Sequence, residues 1–192
     1  MQPAGRELLA ALVAVLNRWG RWYLFGAQAV VAHGVPRLSA DVDVTVRLVP
    51  DEPDRFVRDM EAAGFALAIQ DPDFVRETRV LPFIHTPTAF PLDVVFAASG
   101  LEDEFLERAK TTDIGGVSVP LIDVADLVVA KILAGRPKDI EDVRGLWRLH
   151  GPAVDHRRVH RLLRSLETAL DRSGLLSAFE TVRRTTAPPS EG

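Results

Sequence analysis

The chain has 192 residues, 47% of them hydrophobic and 26% charged, with a formal net charge of −4. That length supports one sizeable domain or two small ones, and the charge argues against a generally basic nucleic-acid binder while leaving room for a local basic patch. Absence of cysteine excludes disulfides, thiolate zinc sites and cysteine nucleophiles, and is compatible with the cytosol.

In chain order, the first element is a helix. Leu8, Leu12, Val15, Leu16 and Trp19 fall on one helical stripe. The apolar run is preceded by Glu7, lacks a clear cleavage site and continues into Asn17-Arg18-Trp19, so it reads as a packed helix rather than a signal peptide. No stretch approaches the roughly 20 apolar residues needed to span a bilayer, and the expectation is a soluble, cytoplasmic protein without membrane partners. A short apolar strand follows at 22–25, then a break at Gly26-Ala27 and a small-residue helix near 27–33.

Asp41-Val42-Asp43-Val44-Thr45-Val46 alternates strictly between polar and apolar, which predicts a strand at 41–47 with both aspartates and Thr45 on one face. Paired carboxylates resist ionising together unless a cation lies between them. Further on, Pro53 opens a helix to about Ala63, and strands are expected at 65–69, 74–81 and 91–97. Asp93 is the single charged residue in its β-prone run, where another apolar side chain would be the ordinary choice. If its strand neighbours the aspartate strand, Asp93 completes a site of three oxygen donors suited to Mg²⁺ or Mn²⁺. The bland alternative is a solvated face with Asp93 at a strand end. A helix at 101–110 and a short strand at 117–119 complete this half.

From Leu121 onward only helices are expected, at 123–134, 138–149, 155–171 and 174–184. The expected fold class is α+β: a mixed sheet flanked by helices over 1–120, a C-terminal helical lobe over 121–184, and a disordered tail over 185–192. Lys131 lies in a helix that is apolar on almost every side, where a lysine either snorkels to the surface or meets an anion in a cleft. Asp139 and Asp142 share a face of the next helix, a spacing that ordinary first-turn acidity also explains. Arg157, Arg161 and Arg164 line one face of the 155–171 helix, which is either a solvated face or a grip for an RNA backbone. His156 and His160 have metal-ligand spacing, but no glutamate follows His156, so this is not a zincin motif.

Gly26 leaves the backbone open at the start of a helix, an arrangement that suits a phosphate. The spacing matches neither a dinucleotide fingerprint nor a Walker loop. Taken together, Phe25-Gly26-Ala27-Gln28-Ala29, then Gly34-x-x-Arg37-x-Ser39-x-Asp41-x-Asp43, then Asp93, then Lys131 with Arg136-x-Lys138-Asp139-x-x-Asp142, resemble the nucleotidyltransferase superfamily. The likeness is greatest to the abortive-infection (AbiE-type) toxin nucleotidyltransferases and covers roughly residues 22–145.

The resemblance implies a nucleotidyltransferase-like fold and a Mg²⁺- or Mn²⁺-dependent enzyme. It would move a nucleoside monophosphate from an NTP such as ATP to an acceptor and release pyrophosphate. Asp41, Asp43 and Asp93 would hold the metal, with Asp93 also activating the acceptor hydroxyl. Gly26, Ala27, Gln28 and Ser39 would belong to the triphosphate cradle, and Arg37 would contact phosphate. Lys131 would neutralise developing charge, and Asp139 would position either the acceptor or the helix that carries Lys131. Acceptors consistent with the resemblance are an RNA (tRNA included) or a protein, with a cognate antitoxin as partner. Transfer to a small molecule and an inactive binding module are the alternatives; the module is favoured by Gln28 and Ala27, which stand where many relatives carry a hydroxyl residue and a second glycine.

Overall fold

The computed structural model describes residues 3–38, 41–48, 52–69, 71–98 and 100–186. In chain order the elements are α1 (Pro3–Trp19), β1 (Trp22–Phe25), α2 (Gly26–Ala32), β2 (Val42–Val46), α3 (Pro53–Ala62), β3 (Phe65–Leu67), α4 (Pro72–Thr78), β4 (Val80–His85), β5 (Phe90–Phe96), α5 (Gly100–Arg108), β6 (Lys110–Asp113), β7 (Ser118–Leu121), α6 (Val124–Ala134), α7 (Pro137–His150), α8 (His156–Ala169) and α9 (Leu175–Thr185). The chain divides into two compact units: Met1–Ala29 with Leu38–Ile122, and Val30–Arg37 with Asp123–Gly192.

The first unit is built on a seven-stranded sheet of order β3-β4-β5-β2-β1-β7-β6. β2 runs parallel to β5 and β1 parallel to β7, while β1–β2, β3–β4, β4–β5 and β6–β7 are antiparallel. The alternation in β2 sets what the sheet covers. Val42, Val44 and Val46 are buried with their β5 partners Leu92 and Val94, and α1 and α3 pack on this face. Phe56 of α3 anchors it, its ring 5.4 Å from Trp19, 6.5 Å from Phe83 and 6.0 Å from Phe96. On the other face, Thr45 and its partner Tyr23 are buried, and Tyr23 meets Phe105 of α5 at 6.3 Å. α5 therefore covers one end of that face, and the aspartates lie toward the other end.

Two local expectations fail. The β-prone Phe74 and Val75 predict a strand over 74–81, yet Pro72–Thr78 is helical. Asp71 caps this helix by accepting from the Asp73 N–H, Pro72 opens it, and Arg79 ends it in the left-handed region at φ 57. These end signals outweigh the apolar pair, so the strand begins only at Val80. Lys110–Asp113 forms an edge strand on β7 that its polar composition does not announce. Of the expected tail, Thr185 closes α9 and Thr186 is buried; the rest lies outside the described residues.

The second unit is helical. α6 is its centre: Ala125, Leu127, Val128, Val129 and Ile132 are all buried, and α7, α8 and α9 pack against it. Asp123 caps α6 by accepting from the Ala125 N–H, and Gly135 ends it at φ 65. Segment 30–37 belongs here although it precedes the aspartate strand. Gly145 of α7 lets it approach, since a Cβ there would lie 2.6 Å from Val35 Cγ1, and His150 Nε2 meets the His33 carbonyl at 2.7 Å. Among the described residues, no helix is long and apolar enough to cross a membrane.

Candidate active site

The first unit brings the acids of two strands to one level. β2 and β5 pair in parallel register with Asp43 directly opposite Asp93. Paired residues on neighbouring strands present their side chains to the same face. The flanking Val42, Val44, Leu92 and Val94 are turned into the core, so both aspartates face away from it and are half-buried. On its other side Asp93 pairs with Pro82 of β4. Burial pushes the Asp93 carboxyl above its ordinary range, and the negative charge of Asp41 pushes it further. Asp41 itself is exposed, just before β2.

Gly26 completes this region. Its φ is +68, and a Cβ there would lie 1.8 Å from Asp43 Oδ2 and 2.6 Å from the carboxyl carbon. The Asp43 carboxylate occupies the space that any side chain at position 26 would fill. The glycine is therefore demanded twice, by its dihedral and by the carboxylate beside it. Ala27 is buried and Gln28 half-buried in the first turn of the seven-residue α2. Ser39 lies outside the described residues.

Among the described residues, no three His, Cys, Asp or Glu side chains stand ready-made as a metal-binding group. The donor set nonetheless suits a hard divalent cation. All three groups are carboxylates, two are in register, and the third raises the proton affinity of one of them. Carboxylates that repel one another approach more closely when a cation screens them.

Arg37, Lys131 and Asp139 belong to the second unit, where they form a buried charge network. The Lys131 ammonium lies 3.0 Å from Asp139 Oδ1 and 2.8 Å from Asp142 Oδ2. Arg136 Nε donates to Asp139 Oδ2 at 2.5 Å, and Arg37 donates to Asp142. Asp139 has 0% exposure and Lys131 only 6%. Burial alone would raise the Asp139 carboxyl, but hydrogen bonds and positive charge from Arg136 and Lys131 hold it below its ordinary range. The lysine thus neither snorkels nor stands in open solvent; it joins α6 to α7. Sequence reasoning left Asp142 out of the site, although its spacing from Asp139 signalled a shared face and the structure makes it the link between Lys131 and Arg37. A second buried pair, Arg158 Nε to Asp126 Oδ1 at 2.5 Å, joins α8 to α6 and had no sequence signal beyond two polar residues on apolar stripes.

A mixed sheet flanked by helices, with β2 and β5 parallel neighbours at its centre, is a nucleotidyltransferase-like fold. Over residues 13–168 the chain matches the family described as "Nucleotidyltransferase of unknown function (DUF6036)", and it belongs to that family. No curated protein matches it. Several solved structures share the fold. The antibiotic-resistance factor ANT(2'')-Ia has a TM-score of 0.58 at 16% identity, covering 88% of this chain and 97% of that one. The lincosamide antibiotic adenylyltransferase LnuA has a TM-score of 0.51 at 13% identity, covering 75% and 96%. An antigenic nucleotidyltransferase-like protein from Paracoccidioides brasiliensis has a TM-score of 0.52 at 16% identity, covering 96% and 92%.

Proposed function

We propose that the protein is a divalent-metal-dependent nucleotidyltransferase that moves a nucleoside monophosphate from an NTP, ATP included, to an RNA acceptor. The observation that carries this reading is the register of Asp43 with Asp93, next to Gly26 and within electrostatic reach of Asp41. Asp41, Asp43 and Asp93 would hold Mg²⁺, which when bound supplies charge stabilisation for the attacking and leaving oxygens of an in-line displacement. In that displacement the acceptor hydroxyl oxygen bonds to the α-phosphorus, the bond to the bridging oxygen breaks, and pyrophosphate leaves. Asp93 is suited to take the hydroxyl proton, because burial and Asp41 favour its protonated form. Gly26, Ala27, Gln28 and Ser39 would border the triphosphate. Through the resemblance to AbiE-type toxins, Lys131 is assigned to charge neutralisation, Arg37 to a phosphate contact and Asp139 to positioning. The same resemblance supports a toxin paired with an antitoxin protein, and tRNA or a protein as alternative acceptors.

A second reading has support of a different kind. Two of the structures that share the fold are an antibiotic-resistance factor and an antibiotic adenylyltransferase, so transfer to a small hydroxylated molecule is the competing assignment. Incubation with Mg²⁺, labelled NTPs and total RNA separates the readings. Label in RNA that disappears in Asp43→Asn supports the proposal. Label in a low-mass product favours the second reading, and nucleotide binding without label marks an inactive binding module.

A further inference from the structure

α8 turns a sequence pattern into a shaped surface. Asp155 caps the helix by accepting from the Arg158 N–H, and Arg158, Val159, Leu162 and Leu163 are buried. Burial of that stripe fixes what faces outward: Arg157, Arg161 and Arg164, all exposed, at i, i+4 and i+7. At 1.5 Å of rise per residue the row spans roughly 10 Å. Between α8 and α9 lies a groove of about 420 Å³ lined by His156, Arg157, His160, Arg161, Arg164 and Arg183. Among the described residues, every lining side chain is basic in type.

The acid on the α9 wall does not cancel this surface. Glu180 is engaged by Arg183 at 2.9 Å and by His160 at 2.6 Å. Burial would raise its carboxyl, but those two partners hold it below its ordinary range. It therefore braces the wall, while Arg157 and Arg164 hold exposed positive charge beside it. A groove lined by basic side chains favours an anionic occupant. Among the described residues, the lining contains no apolar side chain that would anchor it in a lipid surface, and guanidinium groups both fork onto phosphates and stack on bases.

We propose that the α8–α9 groove binds the phosphodiester backbone of single-stranded RNA, which identifies it as the acceptor-binding surface of the enzyme and rests on the RNA-directed reading above. The test is fluorescence anisotropy of the full chain with a 5′-labelled unstructured oligoribonucleotide, without NTP or divalent metal, at several salt concentrations. The expected result is binding that weakens steeply with salt. The variant Arg157→Gln/Arg161→Gln/Arg164→Gln should bind at least tenfold more weakly. Its log–log salt slope should fall by about 2, roughly 0.7 for each phosphate that is no longer neutralised. Arg164→Gln alone, which disturbs no buried group, should weaken binding severalfold and serves if the triple variant misfolds. Wild-type protein that fails to bind RNA, or a folded triple variant that binds as wild type does, overturns the assignment. Polyglutamate that displaces RNA at equal charge would also overturn it, by making the groove a surface for acidic protein. If wild type binds RNA in this manner but never labels it, the groove stands and the transfer reading fails.

Discussion

In the first unit, Asp43 and Asp93 stand abreast on neighbouring strands with Asp41 near enough to act on Asp93. In the second, Asp139 and Asp142 stand one turn apart with a lysine ammonium between them and an arginine on each. Both pairs are aspartates removed in part from water, yet their proton affinities move in opposite directions. Asp93 is raised by burial and by another carboxylate; Asp139, although buried, is lowered by its cationic partners. An acid set beside another acid has its proton affinity raised. Acids gathered around lysine and arginine have their counter-ions built into the fold.

Four perturbations would break or sharpen this contrast. The largest effect on activity is expected from Asp43→Asn, which should lower transfer at least about a hundredfold while leaving the melting temperature at or above that of the wild type. Thermal melting alongside the labelling assay checks both halves. The largest effect on stability is expected in the other unit. Lys131→Ala leaves two buried carboxylates without their shared cation and should destabilise by about 3–5 kcal/mol, read from urea unfolding. Loss of activity in that variant counts as catalytic only if it persists in the folded fraction.

Gly26→Ala comes next. The added methyl would collide with Asp43 Oδ2 and force a left-handed dihedral on alanine. It should cost about 1–3 kcal/mol and abolish transfer together; retained activity would separate the glycine from the acid cluster. The smallest effect is the pH response. The folded-state value of Asp93 is raised, so its stabilising contribution is full below the ordinary carboxylate value and is lost as pH rises through the raised one. Asp93→Asn should therefore raise the melting temperature at pH 7 by roughly 1–3 °C and do nothing at pH 4. Mg²⁺ should stabilise the wild type more at pH 7 than at pH 5, because it favours the ionised form. Asp139 has the opposite sign: its contribution is present above the ordinary value and is lost only as pH falls through its lowered one.

Local pattern carried much of this molecule. The alternation at Asp41–Val46 set which face of β2 would be buried, because a period of two leaves no choice once the valines enter a core. The apolar circumference of 124–134 likewise announced a central helix. At 72–78 two local signals compete, and an aspartate cap with a proline prevails over two β-prone residues. Lys131 shows a different limit. Its position on a buried stripe was legible, but its partners come from the next helix, and the network extends to Arg37, far earlier in the chain.

The sequence by itself determined most of the elements, the polar face of β2, the oddity of Asp93 in its strand and the basic stripe of α8, because helix and strand periods are properties of a few consecutive residues. Only the tertiary structure decided that β2 and β5 are neighbours with Asp43 level with Asp93, that Gly26 makes room for Asp43, and that Lys131 is enclosed by Asp139 and Asp142. Strand order, register and the depth of a charge depend on which distant segments share a core, and no local period encodes that.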